Sequence, residues 1–223
     1  MRVYSDCEKM VSEAVKTFGT LDILVNCAAG NFLAASEQLS SNGFKTVMDI
    51  DTLGTFNMSR AAFHALKASP HASIVNISAT LHYGATWYQA HASAAKAAID
   101  SLTRTLGLEW GSYGIRVNGV APGPIQGTAG LTKLAPVGGD TGSSSLADLW
   151  KERIPVGHAG KAWDIAMAVL YVSCPSGNFV NGHTLVVDGG EWMYRTPILP
   201  RHMVLKASKA VESNSRTTGI AKL

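Results

Sequence analysis

The sequence predicts an α/β fold, a doubly wound parallel sheet whose helices cover both faces. Short apolar runs, typical of buried strands, alternate along the chain with longer segments whose apolar residues recur at helical spacing. The apolar runs are nearly continuous, as expected for strands that are covered on both faces. A chain of 223 residues that is 46% hydrophobic can bury one core of this kind.

The first half of the chain predicts helices and strands in alternation. The helices span Ser5–Phe18 and Asn42 to about Ala68, and the strands span Leu21–Asn26 and Ile74–Ile77. Gly19 follows the first helix as a stop, and Ser40 or Ser41 can cap the second. This order of elements is typical of parallel strands joined by right-handed helical crossovers.

The second half continues the alternation, starting with an alanine-rich helix that contains Lys96. Alanine favours a helix, and Gly111 and Gly114 end it. The later elements are a strand over Ile115–Val120, a helix over Ala162–Val172 and a strand over Thr184–Val187. The segment 127–145 is rich in Gly, Ser and Thr, which predicts a mobile loop.

Charge and cysteine content exclude several classes of protein. From Arg195 onward the chain has six Lys or Arg and one acid, a net charge of +5, so the rest carries −2 of the overall +3. Because no basic cluster interleaved with aromatics is present, we expect no nucleic-acid partner. No apolar run approaches the ~18 residues of a membrane span. Three cysteines without CxxC spacing argue against a disulfide framework and a metal site.

Five segments, in a fixed order along the chain, carry a resemblance to a known family. They are Asn26-Cys27-Ala28-Ala29-Gly30, the alanine-rich helix with Lys96, Ile115-Arg116-Val117-Asn118, Pro122-Gly123-Pro124-Ile125 and Val187-Asp188-Gly189-Gly190. Together they resemble the short-chain dehydrogenase/reductase family. The resemblance implies a single Rossmann-like reductase domain over 1–194 and a basic C-terminal tail over 195–223.

Longer matches indicate one group within that family. The segments 26–33, 44–51, 91–96 and 121–128 closely resemble the peroxisomal 2,4-dienoyl-CoA reductases. The resemblance implies NADPH-dependent reduction of 2,4-dienoyl-CoA to 3-enoyl-CoA in the β-oxidation of unsaturated fatty acids. The final tripeptide Ala221-Lys222-Leu223 resembles a peroxisomal address, which implies a peroxisomal location and an import receptor as a partner. A homo-oligomer, a tetramer or a dimer, is expected from the family.

The resemblance also assigns binding residues. The residues implied for NADP(H) are Asn26, Ala28, Ala29, Gly30, Lys96, Pro122, Gly123, Pro124, Ile125, Gln126, Gly127 and Thr128. The residues implied for a fatty acyl-CoA are Arg2, Phe32, Ser40, Ser41, Asn42 and Lys133. Within the second set, Arg2 and Lys133 are candidates to pair with phosphates of coenzyme A, and simple solvated charges are the alternative for both.

Lys96 and Asp51 are the candidate catalytic residues. In the resembled family a Tyr precedes the Lys by four residues, one helical turn on the same face, and this position is Ala92. Reduction of a conjugated dienoyl thioester protonates carbon and forms no alkoxide at the hydride acceptor, so a phenol acid is not obligatory. Lys96 would contact the nicotinamide ribose, and Asp51 could organise a water and relay the proton. A structural carboxylate is the alternative for Asp51.

Other residues near the motif receive weaker roles. Asp49 lies two residues from Asp51 and is expected on another helical face. The position of the family's catalytic Ser is Ala79, flanked by Ser78 and Thr80, for which we expect no essential role. Tyr83 and Tyr88 fall in the following loop, where we expect aromatics that line a pocket.

The sequence contains neither GxGxxG nor TGxxxGxG, the glycine-rich turns on which dinucleotide folds hold the pyrophosphate. We therefore expect an N-terminally truncated domain that lacks the strands binding the adenine nucleotide. The strand Leu21–Asn26 would then become an apolar open edge. On this interpretation the chain alone binds NADPH poorly and tends to aggregate.

Two alternative functions stay open at this point. One is a different reductase of the same family, such as one acting on 3-oxoacyl thioesters, although Ala92 argues against ketone reduction. The other is a non-catalytic fragment that only associates with full-length subunits. In that case, the helices over Asn42–Ala68 and around Lys96 would form the contact.

Overall fold

A computed structural model describes residues 1–128, 130–131 and 146–217. The chain divides into two compact units, Met1–Trp192 and Met193–Leu223. The second unit contains the helix Arg201–Thr217. The predicted division into a reductase domain over 1–194 and a tail over 195–223 stays a prediction. Among the described residues, no helix combines the length and the apolar character that crossing a bilayer requires.

The first unit is built on a parallel four-stranded sheet. The strands are β1 (Ile23–Asn26), β2 (Ser73–Ile77), β3 (Arg116–Pro122) and β4 (Thr184–Val187), in the spatial order β1-β2-β3-β4. Val25 pairs with Val75, which in turn pairs with Asn118. The predicted strands are confirmed, and the last agrees at both ends. Within the described residues β1 pairs only with β2, and its Ile23 and Val25 are 45% and 43% exposed.

Helices connect and cover these strands. They are α1 (Tyr4–Phe18), α2 (Ser41–Met48), α3 (Gly54–Ala68), α4 (Ala90–Trp110), α5 (Leu146–Arg153) and α6 (Ala162–Ser173). Ser40 is the cap of α2, because its Oγ accepts a hydrogen bond from the Gly43 amide at 3.0 Å. These bounds confirm the predicted helices in kind and place.

One prediction about the helices is wrong. The continuous helix expected over Asn42–Ala68 is interrupted by a π-helical turn, Asp49–Leu53, which separates α2 from α3. A π turn accommodates one extra residue in a helix, and such turns occur frequently at functional sites. Asp51 is the middle residue of this turn.

The sheet is covered on both faces, which confirms the doubly wound architecture. On one face Ile74 of β2 packs with Ala62 and Leu66 of α3, in a cluster that also includes residues of α1 and α4. On the other face the next residue, Val75, packs with Val172 of α6. Full burial of an aliphatic side chain of this size contributes about 1.5–3 kcal/mol to the stability of the fold. Because Ile74 and Val75 point to opposite faces of the sheet, each stabilises the packing of a different helical layer.

Candidate active site

The candidate site lies where the carboxyl ends of β1, β2 and β3 meet, at the edge of the sheet where ligands of open α/β folds bind. Three segments contribute to it: the loop after β1, the π turn and the first turns of α4. The π turn directs Asp51 inward, where its side chain is completely buried. Asp51 Oδ1 accepts a hydrogen bond from the Gly30 amide at 2.7 Å, which ties the β1 loop to the π turn.

Lys96 of α4 is the partner of Asp51. Its Nζ lies 3.2 Å from Asp51 Oδ2 and donates a hydrogen bond to the Ile77 carbonyl oxygen at 3.0 Å. Both side chains are buried, with exposures of 9% and 0%. Because water does not reach these buried side chains, each charge is compensated by the other. Loss of either residue would therefore leave an uncompensated buried charge. The structure thus brings together the two residues that the sequence singled out as catalytic.

Ala92 has no free space around it. It is 1% exposed and packs with Val47 of α2 and with Ala95. A phenol would not fit there without moving α2, because tightly packed interiors do not accept added volume. Ser78 is also buried, and its Oγ donates only to the Lys96 carbonyl oxygen at 3.5 Å.

Asp49 has different surroundings from Asp51, as expected for two residues that are two positions apart on a helix. It forms an ion pair with Lys45, one turn earlier, whose side chain is 70% exposed. Exposed pairs of this type stabilise a protein by at most about 1 kcal/mol. Asp49 therefore has the surroundings of a surface acid, whereas Asp51 has those of a site residue.

Three polar residues at this end of the site were not predicted from the sequence to be functional. Asn31 follows Gly30 in the β1 loop and donates through Nδ2 to Gln89 Oε1 at 2.5 Å. His91, in the first turn of α4, is completely buried and its ring centroid lies 4.3 Å from that of Phe32. Burial lowers the pKa of His91, while the charge of Asp51 and the Phe32 backbone act in the opposite direction. Asn31 and His91 lie in two of the matched segments, 26–33 and 91–96, but the resemblance gave them no role.

A buried polar network supports the site from below. Asn26, at the end of β1, donates through Nδ2 to Ser59 Oγ of α3 at 3.0 Å and to Asn76 Oδ1 of β2 at 2.9 Å. Asn76 in turn donates to Thr103 Oγ1 of α4 at 2.9 Å. Because each of these bonds joins two elements, the network fixes α3 and α4 relative to the sheet.

The other residues expected to bind a dinucleotide lie on loops at the same edge. Ala28 and Ala29 are exposed in the loop after β1. The loop after β3 is held by hydrogen bonds between Pro124 and Gly160 and between Gln126 and Gly160. A Cβ at Gly123 would lie 2.7 Å from the Asp188 Cβ, so this position requires glycine. Of the remaining members of this set, Ile125 is half-buried, Gly127 has a φ of 71°, and Thr128 Oγ1 donates to the Ile125 carbonyl.

The residues expected to bind an acyl-CoA are placed less uniformly. Phe32 is 39% exposed and approaches the start of α2, where a Cβ at Gly43 would lie 3.2 Å from its Cζ. Ser40 caps α2, and Ser41 and Asn42 begin it as exposed residues. The structure thus brings Phe32 and the α2 start together beside His91.

Of the two basic residues of that set, only Arg2 lies among the described residues. Arg2 is exposed ahead of α1, and its carbonyl oxygen accepts from Asn57 Nδ2 at 3.5 Å. Lys133 and the tripeptide Ala221-Lys222-Leu223 lie outside the described residues, as does most of the predicted mobile loop. Among the residues that the structure describes, no group of His, Cys, Asp or Glu has the arrangement of a metal site.

Comparisons with known proteins agree with this architecture. Residues 2–191 match a family model described as enoyl-(acyl carrier protein) reductase. The chain is 53% identical to a peroxisomal 2,4-dienoyl-CoA reductase of Arabidopsis thaliana, a match that covers 97% of this chain and 73% of the relative. It is 48% identical to the corresponding enzyme of Rattus norvegicus, over 90% of this chain and 66% of the relative.

A solved structure gives the same result for the fold. The gluconate 5-dehydrogenase of Burkholderia cenocepacia, solved in complex with NADP and tartrate, superposes with a TM-score of 0.78 at 27% identity. The match covers 87% of this chain and 73% of that one. Together with the parallel sheet, the Lys96 helix and the matched length, these similarities show that the chain belongs to the short-chain dehydrogenase/reductase family, in the group of the peroxisomal 2,4-dienoyl-CoA reductases.

Proposed function

We propose that this chain provides the catalytic part of an NADPH-dependent 2,4-dienoyl-CoA reductase that forms a 3-enoyl-CoA. The observation that carries the proposal is the buried Lys96–Asp51 pair, which occurs together with an alanine packed at the position of the usual phenol acid. The identity to the Arabidopsis and rat enzymes supports the same substrate class. Reduction of a 3-oxoacyl thioester is disfavoured, because the oxygen of a ketone needs an acid that Ala92 cannot supply.

The reaction requires a hydride at the far end of the diene and a proton at the α carbon. Bound NADPH supplies the hydride. Charge then develops on the thioester oxygen and the α carbon, and a proton must reach carbon through water or a side chain. Asp51, with one oxygen held by the Gly30 amide, presents its other oxygen to organise a water that passes a solvent proton to the α carbon.

Residues at the carboxyl edge of the sheet would hold the nicotinamide end of the cofactor. The described geometry fits such a group: the Gly123 turn is too tight for a side chain, and the exposed Ala28 and Ala29 leave room beside β1. Lys96 would contact the ribose of the nicotinamide, and its bond to Ile77 fixes its position. The full proposed set is Asn26, Ala28, Ala29, Gly30, Lys96 and residues 122–128.

An acyl-CoA would enter over the β1 loop and the start of α2. Phe32 offers an apolar surface there, and the Ser40-Ser41-Asn42 turn offers polar groups beside it. Arg2 and Lys133 would pair with the phosphates of coenzyme A. We further propose a homo-oligomer, a peroxisomal location and recognition of Ala221-Lys222-Leu223 by an import receptor, each supported by the relatives or by the sequence of the tail.

The test follows the absorbance of NADPH with 2,4-hexadienoyl-CoA and, separately, with acetoacetyl-CoA. It uses this chain and a chimera in which the N-terminal part of the Arabidopsis relative precedes it. We expect turnover of 2,4-hexadienoyl-CoA and no turnover of acetoacetyl-CoA. Asp51→Asn should lower kcat on the order of a hundredfold or more, the usual contribution of an acid–base group. Asp49→Asn is the matched control and should leave kcat unchanged.

Two results would contradict the proposal. Turnover of acetoacetyl-CoA by the chimera would indicate a ketone reductase. Equal rates for Asp51→Asn and Asp49→Asn would remove Asp51 from the mechanism and leave it the role of a structural carboxylate.

A further inference from the structure

Several buried polar atoms beside Asp51 have no hydrogen-bond partner within the described residues. They are Asp51 Oδ2, Asn31 Oδ1 and the ring nitrogens of His91, although the ring lies near enough to the Phe32 backbone for that backbone to act on the pKa of His91. Asp51 Oδ2 is compensated only by the charge of Lys96, whose Nζ lies 3.2 Å away. Buried polar groups in native proteins almost always have a partner, either protein or ordered water, so a cluster of such atoms indicates a missing partner.

The residues that carry these atoms are linked through the β1 loop. In three consecutive residues of that loop, the Gly30 amide donates to Asp51, Asn31 donates to Gln89, and the Phe32 ring packs at a tilt of 48° against the ring of His91. His91 also lies close enough to Asp51 for the carboxylate to raise its pKa. The unpaired atoms therefore belong to one small region between the loop, the π turn and the start of α4.

The chemistry of the region fits water better than a charged ligand. Desolvation lowers the pKa of His91 and favours the neutral ring, which has one N–H donor and one acceptor. The oxygens of Asp51 and Asn31 are acceptors. A water molecule can donate to two acceptors and exchange one further hydrogen bond with the ring, which matches the about three bonds that a buried water makes.

We propose that His91, Asn31 and Asp51 hold one buried water molecule, and that His91 and Asn31 are positioning residues for it. The second part rests on the proposed function, in which a water at Asp51 relays the proton to carbon. The Phe32 ring packs against the imidazole, with the two ring centroids 4.3 Å apart, and restricts its movement.

A crystal structure of the chain at a resolution that shows ordered water tests the first part directly. We expect one water within hydrogen-bond distance of Asp51 Oδ2, Asn31 Oδ1 and a nitrogen of His91. In His91→Phe, which keeps a ring against Phe32, the water should be lost while the Lys96–Asp51 pair remains. An empty region, or direct bonds from both ring nitrogens of His91 to protein atoms, would overturn the inference.

Stability at acidic pH gives an independent readout. Asp51 of the π turn is the charged group that acts on His91, and Lys96 of α4 is paired with that carboxylate. Because the folded-state pKa of His91 is lowered, the unfolded state binds the extra proton as pH falls below about 6.5, and stability decreases there. His91→Phe should lose less stability between pH 7 and pH 5 than wild type. The exposed control His71→Phe should behave as wild type, and equal losses in both variants would overturn the inference.

Kinetics test the second part. His91→Phe should lower kcat on the order of tenfold with little change in KM, since positioning contributes part of an acid–base effect, and His91→Gln should restore part of the rate. A change in KM alone would overturn the positioning role. If the water is present but no dienoyl thioester is reduced by chain or chimera, the proposed function fails while the water site stands.

Discussion

Two buried acids, one on helix α4 and one on the π turn beside it, have carboxylates that are bonded in opposite ways. Asp100 lies one helical turn after Lys96, and all its oxygen atoms are used: Oδ1 accepts from Thr184 at 3.2 Å, and Oδ2 meets His82 at 2.9 Å and Tyr83 at 3.2 Å. Asp51 has an oxygen without a hydrogen bond. A satisfied carboxylate holds the fold together, whereas an unsatisfied one is available to a ligand or a water.

The two acids also connect different elements. Asp100 joins the loop after β2 to β4 through three side chains, and it lies beside a polar cavity of about 480 Å³ lined by Arg104 and His183. Asp51 joins the π turn to the β1 loop and α4. Helix α4 therefore carries a structural acid, Asp100, one turn after Lys96, which is its contribution to the candidate catalytic pair.

Lys96→Met should have the largest effect on stability. It removes the charge that compensates Asp51 in the interior, and breaking a buried pair in this way costs about 3–5 kcal/mol. Urea unfolding followed by circular dichroism measures the free energy of unfolding. Lys45→Met removes a lysine from an exposed pair and should cost less than about 1 kcal/mol. Similar losses in both variants would show that the Lys96 pair is not buried in solution.

Asp100→Asn should have an intermediate effect on stability and none on chemistry. An amide cannot accept from every donor that the carboxylate serves, and an unsatisfied buried group costs about 1–3 kcal/mol. The free energy of unfolding should fall by this amount, while the rate with 2,4-hexadienoyl-CoA stays within twofold or so of wild type. A loss of rate as large as that of Asp51→Asn would erase the distinction between the two acids.

Tyr83 should give the smallest but most specific signal. Burial and the nearby Asp100 raise the pKa of its phenol to about 12. Because the folded-state pKa exceeds that of a free tyrosine, about 10, the folded protein holds the proton longer, and stability falls as pH rises between these values. An ultraviolet titration of the folded chain should show one late-ionising tyrosine that is absent in Tyr83→Phe. In Asp100→Asn the same tyrosine should ionise earlier, and an unchanged titration would contradict the contact.

The elements of the fold were predictable because their signals are local. Continuous apolar runs and the glycines at their ends located β4 at both ends and β1 to within two residues. The π turn was not predictable, since one extra residue barely disturbs the helical spacing on either side of it. Its presence depends on tertiary contacts, such as the bond between Gly30 and Asp51.

The candidate site was predictable only in part. Lys96 and Asp51 stood out through their place in motifs, and the structure pairs them. Asn31 and His91 lie in matched segments that gave them no role, and what distinguishes them is that some of their polar atoms lack partners, a property that exists only after the chain has folded. The missing phenol was visible as Ala92, but the packing of Val47 against it was not.

The extra residue in the Asp49–Leu53 turn has a consequence at the level of the gene. An α-helix advances by about 100° per residue, so loss of one codon here would let α2 and α3 join as one regular helix while turning Asp51 away from Lys96. Such an allele would keep the other residues of the site in the sequence, but it would also turn the buried face of one helix by about 100° relative to that of the other. In this stretch of the reading frame, the number of codons matters as much as their identity.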